Sequence, residues 1–139
     1  MRIERTNQMS DFLKCLPFER EVRKKGREKN RESDMLMMIE SMLLNPLFGL
    51  WIAYDDNGNI SGYVCAVLNP MPGSKKLFLL RIYAKQKELF DQFENILMEW
   101  AKKYKVKVCS MTVTSNVKAF QRKYGFTPVS INMEKVYFK

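Results

Sequence analysis

The spacing of apolar positions changes several times along the chain, and each change marks an element. Residues 1–7 alternate apolar and polar side chains and predict a short opening strand. Met9, Phe12, Leu13 and Leu16 then fall at helical spacing over residues 8–16, with Ser10 and Asp11 suited to the start and Pro17 as the expected stop. Residues 19–33 carry both signs of charge around Gly26, with Val22 their apolar residue, and read as a solvated loop or frayed helix. Asp34 is placed as the N-cap of a helix through Met35, Leu36, Met37, Met38, Ile39, Met42, Leu43 and Leu44, which Asn45 and Pro46 end. Methionines at this density read first as core filling and second as an adaptable groove.

The middle of the chain switches to a strand period. Residues 50–54 and 60–68 are rich in β-formers, and Asp55-Asp56-Asn57-Gly58-Asn59 between them has the turn chemistry of a hairpin. Residues 69–74 form a Pro- and Gly-containing loop. Residues 76–84 are apolar on both faces, the mark of a central strand. Leu89, Phe90, Phe93, Ile96, Leu97, Trp100, Ala101 and Tyr104 recur in steps of one, three or four, which predicts a long helix with one broad stripe against a sheet. Residues 106–114 predict a further strand. Ser115 and Asn116 open a short helix carrying Ala119, Phe120 and Tyr124, Gly125 supplies its left-handed end, and residues 127–138 predict a closing strand. Strands and helices in this order define an α/β architecture, a sheet with helices on both faces, in one domain over residues 1–139.

Composition narrows the chemistry. The 139 residues contain no histidine, which excludes a histidine general base, a Ser-His-Asp triad and a histidine-ligated metal. Cys15, Cys65 and Cys109 are odd in number and far apart, so neither a disulfide scaffold nor a zinc site is expected, and a reducing cytoplasm is the default. Cys109 reads as a small buried hydrophobe, and no apolar run approaches the ~20 residues of a membrane span. The net charge of +9 lies wholly in the second half: residues 1–74 carry 10 basic and 10 acidic groups, residues 75–139 carry 14 and 5. Lys102, Lys103, Lys105, Lys107, Lys118, Arg122 and Lys123 make a basic run suited to a phosphorylated cofactor or to a solubilising surface. Nucleic acid is the weaker expectation, because no aromatic residues interleave with these lysines as a stacking platform.

Three segments together resemble the GNAT superfamily, the GCN5-related N-acetyltransferases. Residues 51–64 are similar to its second and third strands, residues 80–104 to its fourth strand and central helix, and residues 116–126 to its last helix ending in Gly-Phe. The resemblance implies a GNAT-like mixed sheet with helices on both faces, acetyl-CoA as acyl donor, and a small-molecule or protein amine as acceptor. It implies that Ile82, Tyr83 and Ala84 hold the pantetheine arm and that the turn Lys85, Gln86, Lys87, Glu88, Leu89 and Phe90 meets the pyrophosphate, with Asn116 and Phe120 completing the cofactor site. Glu88 and Phe90 stand where the family's turn has glycines, so a carboxylate and a phenyl ring replace close backbone approach. The proton donor to the departing thiolate falls on Gln121 counting back from Gly125, or near Tyr124 counting forward from Asn116. Tyr124 is the candidate, with Tyr83 as the other. No acidic residue lies in 76–84 to serve as base, and Glu40 and Glu134 read as surface carboxylates. The alternative is a GNAT-fold binding or structural module without catalysis, since short chains with altered cofactor turns also resemble some encoded by bacteriophages.

Overall fold

The computed structural model describes residues 1–25, 32–73, 75–111, 122, 125–127 and 135–137, apart from the side chains of 22–25, and structural statements below concern these. The order is β1 (Arg2–Thr6), α1 (Met9–Leu13), α2 (Leu16–Lys25), α3 (Glu32–Met42), β2 (Phe48–Tyr54), β3 (Ile60–Asn69), β4 (Lys76–Ala84), α4 (Lys87–Lys103) and β5 (Cys109–Ser110). The strands lie side by side in chain order, antiparallel from β1 to β4 and parallel between β4 and β5. Strand alternation sends each apolar set to its own layer. Trp51, Ala53, Val64, Ala66, Leu77 and Leu79 meet Leu89, Phe93, Leu97 and Trp100 of α4. On the opposite face Leu50, Ile52, Tyr63 and Cys65 meet Phe12, Cys15, Met35 and Ile39 of the first three helices and the α1–α2 joint. The sheet is therefore covered on both faces, as the element order requires.

Most expected elements form where the periods place them, and the turns explain why. Asp55 Oδ1 accepts from the N–H groups of Asn57 and Asn59 at 2.9 Å, and Gly58 takes φ +80° at the tip, so the β2–β3 hairpin is fixed locally. Helix α4 ends without glycine. Lys105 adopts φ +57°, which lets Val106 N–H reach back to the Ala101 carbonyl at 3.0 Å while its side chain is buried.

Four expectations are corrected. Pro17 sits in the first turn of α2, where a missing N–H costs nothing, so it starts a helix instead of stopping one. The charged stretch from Glu19 is helical as far as Lys25, and Glu19 is fully buried. Asp34 lies inside the first turn of α3, whose Met35 fills the core while Met37 is 69% exposed. Cys109 is exposed; of the strand expected over 106–114, the described residues form Cys109–Ser110, and 112–114 lie outside them. The short helix expected after Ser115 lies outside the described residues, save Arg122; Gly125, with φ +70°, has the left-handed conformation expected of its end.

Candidate active site

β4 is paired to β3 from Lys76 to Ala84, and Lys85 N–H extends the ladder to the Ser61 carbonyl at 3.2 Å. Its other edge differs. Among the described residues β4 and β5 pair only at Leu77↔Cys109 and Phe78↔Ser110. From residue 79 to residue 84 that edge therefore presents main-chain N–H and C=O groups with no strand partner described. Within this half the β3–β4 register shifts: Cys65 faces Arg81 and Ala66 faces Leu79, so Leu80 is an inserted bulge residue. A bulge bends its strand.

The open edge runs straight into the start of α4. Gln86 is the N-cap and makes no side-chain cap bond, and its carbonyl receives Leu89 N–H and Phe90 N–H. Lys87 and Glu88, the first two helical residues, have no intrahelical acceptor for their N–H groups. Lys87 Nζ is 3.2 Å from Asp91, and Lys85 Nζ stands 5.4 Å from the centre of the Phe18 ring, so both cations already have partners. Glu88 is exposed. Phe90 is only 8% exposed, so its ring is withdrawn from solvent at the helix start. Leu89 is buried against Gly62, Ile82 and Ala84 face α4, and Tyr83 faces the other layer. Asn116, Phe120 and Tyr124 lie outside the described residues, as do Gln121 and Glu134. Glu40 is exposed on α3.

Behind the bulge lies a polar cluster that the sequence reading missed. Glu19 of α2 is completely buried; its Oε1 accepts from the Tyr63 hydroxyl and is 3.4 Å from Nε of Arg81, while Oε2 has no hydrogen-bond partner. Arg81 Nη1 donates to the Leu80 carbonyl at 3.0 Å. Tyr63 is held edge-on by Phe12 at 6.2 Å and stacks on its cross-strand neighbour Tyr83 at 6.4 Å, and Tyr83 meets Phe18 at 4.9 Å. The Tyr83 hydroxyl is 3.4 Å from Glu21 Oε2. One signal could have found Glu19. Phe12, Cys15 and Glu19 continue a single three-and-four spacing across Pro17, which places the carboxylate on the apolar stripe once Pro17 is taken as a helix start.

Burial weakens several acids here. The Cys15 and Cys65 thiols are pushed up to about 12, first by desolvation and then by the Glu19 carboxylate. Tyr63 is raised for the same two reasons, helped by its bond to Glu19. A thiol that stays protonated in the native chain but ionises near its usual value when unfolded stabilises the fold fully below about pH 9. That contribution is lost as pH rises towards 12, by about 1 kcal/mol per thiol per pH unit. We expect the urea midpoint to fall between pH 9 and pH 10, and Cys15→Ala with Cys65→Ala to remove most of that slope; a flat midpoint would contradict the assignment.

A second concavity of about 390 Å3, lined by Arg5, Trp51, Asn95, Ile96, Glu99, Trp100 and Lys103, lies beside the carboxy-terminal half of α4 and edge strand β1. Arg5 is satisfied there by the Phe48 carbonyl at 2.9 Å and by the faces of Trp51 and Trp100, each 5.3 Å away. It is remote from the helix start and from the open edge.

No family model matches the sequence, and no curated protein matches it by sequence. Solved structures do match. A predicted acetyltransferase from Clostridium acetobutylicum, solved with acetyl-CoA, superposes with TM-score 0.74 at 18% identity, over 97% of this chain and 95% of that one. An aminoglycoside 6′-N-acetyltransferase from Acinetobacter haemolyticus superposes with TM-score 0.71 at 19% identity, over 100% and 97%. A third structure, AAC(6′)-Iy in complex with a CoA-linked bisubstrate analogue, gives TM-score 0.70 at 18% identity, over 97% of both chains. The chain has the fold of the GNAT acetyltransferases. Among the described residues no helix is long and apolar enough to cross a membrane.

Proposed function

We propose that this chain is an acetyl-CoA-dependent N-acetyltransferase that acylates the amine of a small molecule. The observation that carries the reading is the bulge at Leu80, just after the described β4–β5 pairs at Leu77 and Phe78, in a strand that leads directly into α4. An acyl donor with an amide-bearing arm needs main-chain partners, and the edge over residues 79–84 offers them around Ile82, Tyr83 and Ala84. Its pyrophosphate would take the N–H groups of Lys87 and Glu88, with Lys85 and Gln86 in the turn and Leu89 and Phe90 beneath it. Asn116 and Phe120, outside the described residues, are assigned to the donor by the resemblance alone. When bound, acetyl-CoA supplies an acyl group on a thioester. The acceptor amine would attack that carbonyl as the C–S bond breaks and would lose its proton to solvent, and Tyr124 is the residue that would give a proton to the departing thiolate.

The residues fit with one strain. The Glu88 carboxylate opposes a pyrophosphate at the helix start, and Lys87 is drawn towards Asp91. We expect Glu88→Gly to tighten acetyl-CoA binding about fivefold by removing that repulsion, measured by calorimetry. Equal or weaker affinity would place the phosphates elsewhere. The same two side chains favour a second reading, a GNAT-fold module that binds without turnover. A thermal-shift titration decides first: at 100 times its dissociation constant the donor adds about 2.7 kcal/mol of stability. No shift at millimolar acetyl-CoA would remove the transferase. A shift without thiol release on a panel of primary amines would leave the binding module.

A further inference from the structure

Among the cavities, thiols, charged runs and exposed faces of the described residues, one group has strong chemistry and no role in the transfer outlined above: the buried carboxylate of Glu19. Its Oε1 holds two strands at once, taking the Tyr63 hydroxyl from β3 and lying 3.4 Å from Arg81 Nε of β4. The same guanidinium donates to the carbonyl of Leu80, the residue that the bulge inserts opposite Cys65 and Ala66. Past this point β4 has no described strand on its outer edge. The bulge bends the strand at this point. The guanidinium hydrogen-bonds the bulge carbonyl and meets the buried Glu19 carboxylate as an ion pair, so charge ties the bend to α2.

We propose that Glu19 is a positioning residue: acting through Arg81, it clamps the Leu80 bulge to α2 and so holds residues 79–84 in the course that keeps their outer edge open to the acyl donor. The inference rests on the reading of that edge as the donor site, but the clamp is testable without it. Glu19 touches no reacting atom, being sealed from solvent. Its effect is on where β4 runs. The lone Oε2, without a partner, matches a carboxylate retained for position, since an apolar residue would fill the same space without an unsatisfied oxygen.

The test combines acetyl-CoA titration by calorimetry with amide hydrogen exchange over residues 79–84, on full-length wild type, Glu19→Gln, Arg81→Lys and Glu19→Gln/Arg81→Lys. Ile39→Val, in the same layer but far along α3, serves as a stability control. Glu19→Gln keeps the volume and an acceptor for Tyr63 but loses the charge that holds Arg81. Arg81→Lys keeps the charge but loses the fork. We expect each single variant to weaken the donor by about tenfold and to speed exchange at 79–84 by a similar factor, with Ile39→Val unchanged in both. The double variant is expected to be no worse than either single one, because both break the same link. Wild-type affinity and exchange in both single variants, losses that add in the double, or equal losses in Ile39→Val would each overturn the clamp. If Glu19→Gln fails to fold, Arg81→Lys and Tyr63→Phe carry the measurement, the latter expected to leave exchange at 79–84 near wild type. If wild type binds no acetyl-CoA, the functional reading falls, and exchange at 79–84 alone decides the clamp.

Discussion

Glu19→Ala is expected to lower the unfolding free energy by about 3–5 kcal/mol, among the largest effects of any single substitution here. The cause is not the loss of an attractive contact. Truncation leaves the Arg81 guanidinium, largely buried, beside a cavity and without the carboxylate that offsets its desolvation, and it strips the Tyr63 hydroxyl of its acceptor. Urea unfolding at pH 7 reads the effect directly as a lowered midpoint. A paired replacement separates the two contributions. Glu19→Met with Arg81→Met removes both charges together, and we expect it to recover most of the lost stability, because a matched apolar pair bears no desolvation penalty. A loss below about 1 kcal/mol for Glu19→Ala would mean that water reaches the site.

Gly62→Ala is expected to destabilise by about 3 kcal/mol. A methyl group there would sit on the Tyr83 carbonyl oxygen, 2.8 Å from Leu89 Cδ2 and 3.2 Å from Ala84 Cα. Two of those three atoms are backbone of the paired strand and cannot turn aside, so β3 and β4 must part where β4 enters α4. Gly58 provides the comparison. Its surroundings are empty, and its φ of +80° alone opposes a side chain, so Gly58→Ala should cost about 1 kcal/mol. A thermal melt of both variants tests the ordering. Because Gly62 faces Ala84, we also expect its variant to lose acetyl-CoA affinity, while the Gly58 variant keeps it. Equal melting temperatures would show that β4 relaxes freely at this end.

Legibility followed the range of the interactions. The 55–59 turn, the 76–84 strand and the stripe of α4 were readable because each is set by neighbours a few residues apart. Pro17 was misread for a physical reason: the same missing N–H ends one helix or begins the next, and which holds depends on what the following turn packs against. The charged stretch from Glu19 looked solvated because charged side chains are mostly at the surface; only contact with Tyr63 and Arg81, 44 and 62 positions away, reverses that for Glu19. Lys85 and Lys87 were likewise visible in the helix-start turn, but not their engagement by the Phe18 ring and Asp91.

By itself the amino-acid order determined the alternation of strand and helix periods, the absence of imidazole chemistry, and the resemblance of the fourth strand and following helix to a GNAT donor site. Those follow from local sterics, side-chain inventory and pattern. Tertiary structure alone decided which residue the β3–β4 register shift inserts and which carboxylate is sealed behind it. Each of these is a pairing between segments distant in sequence, settled by how two layers pack on one sheet, and no local period encodes it.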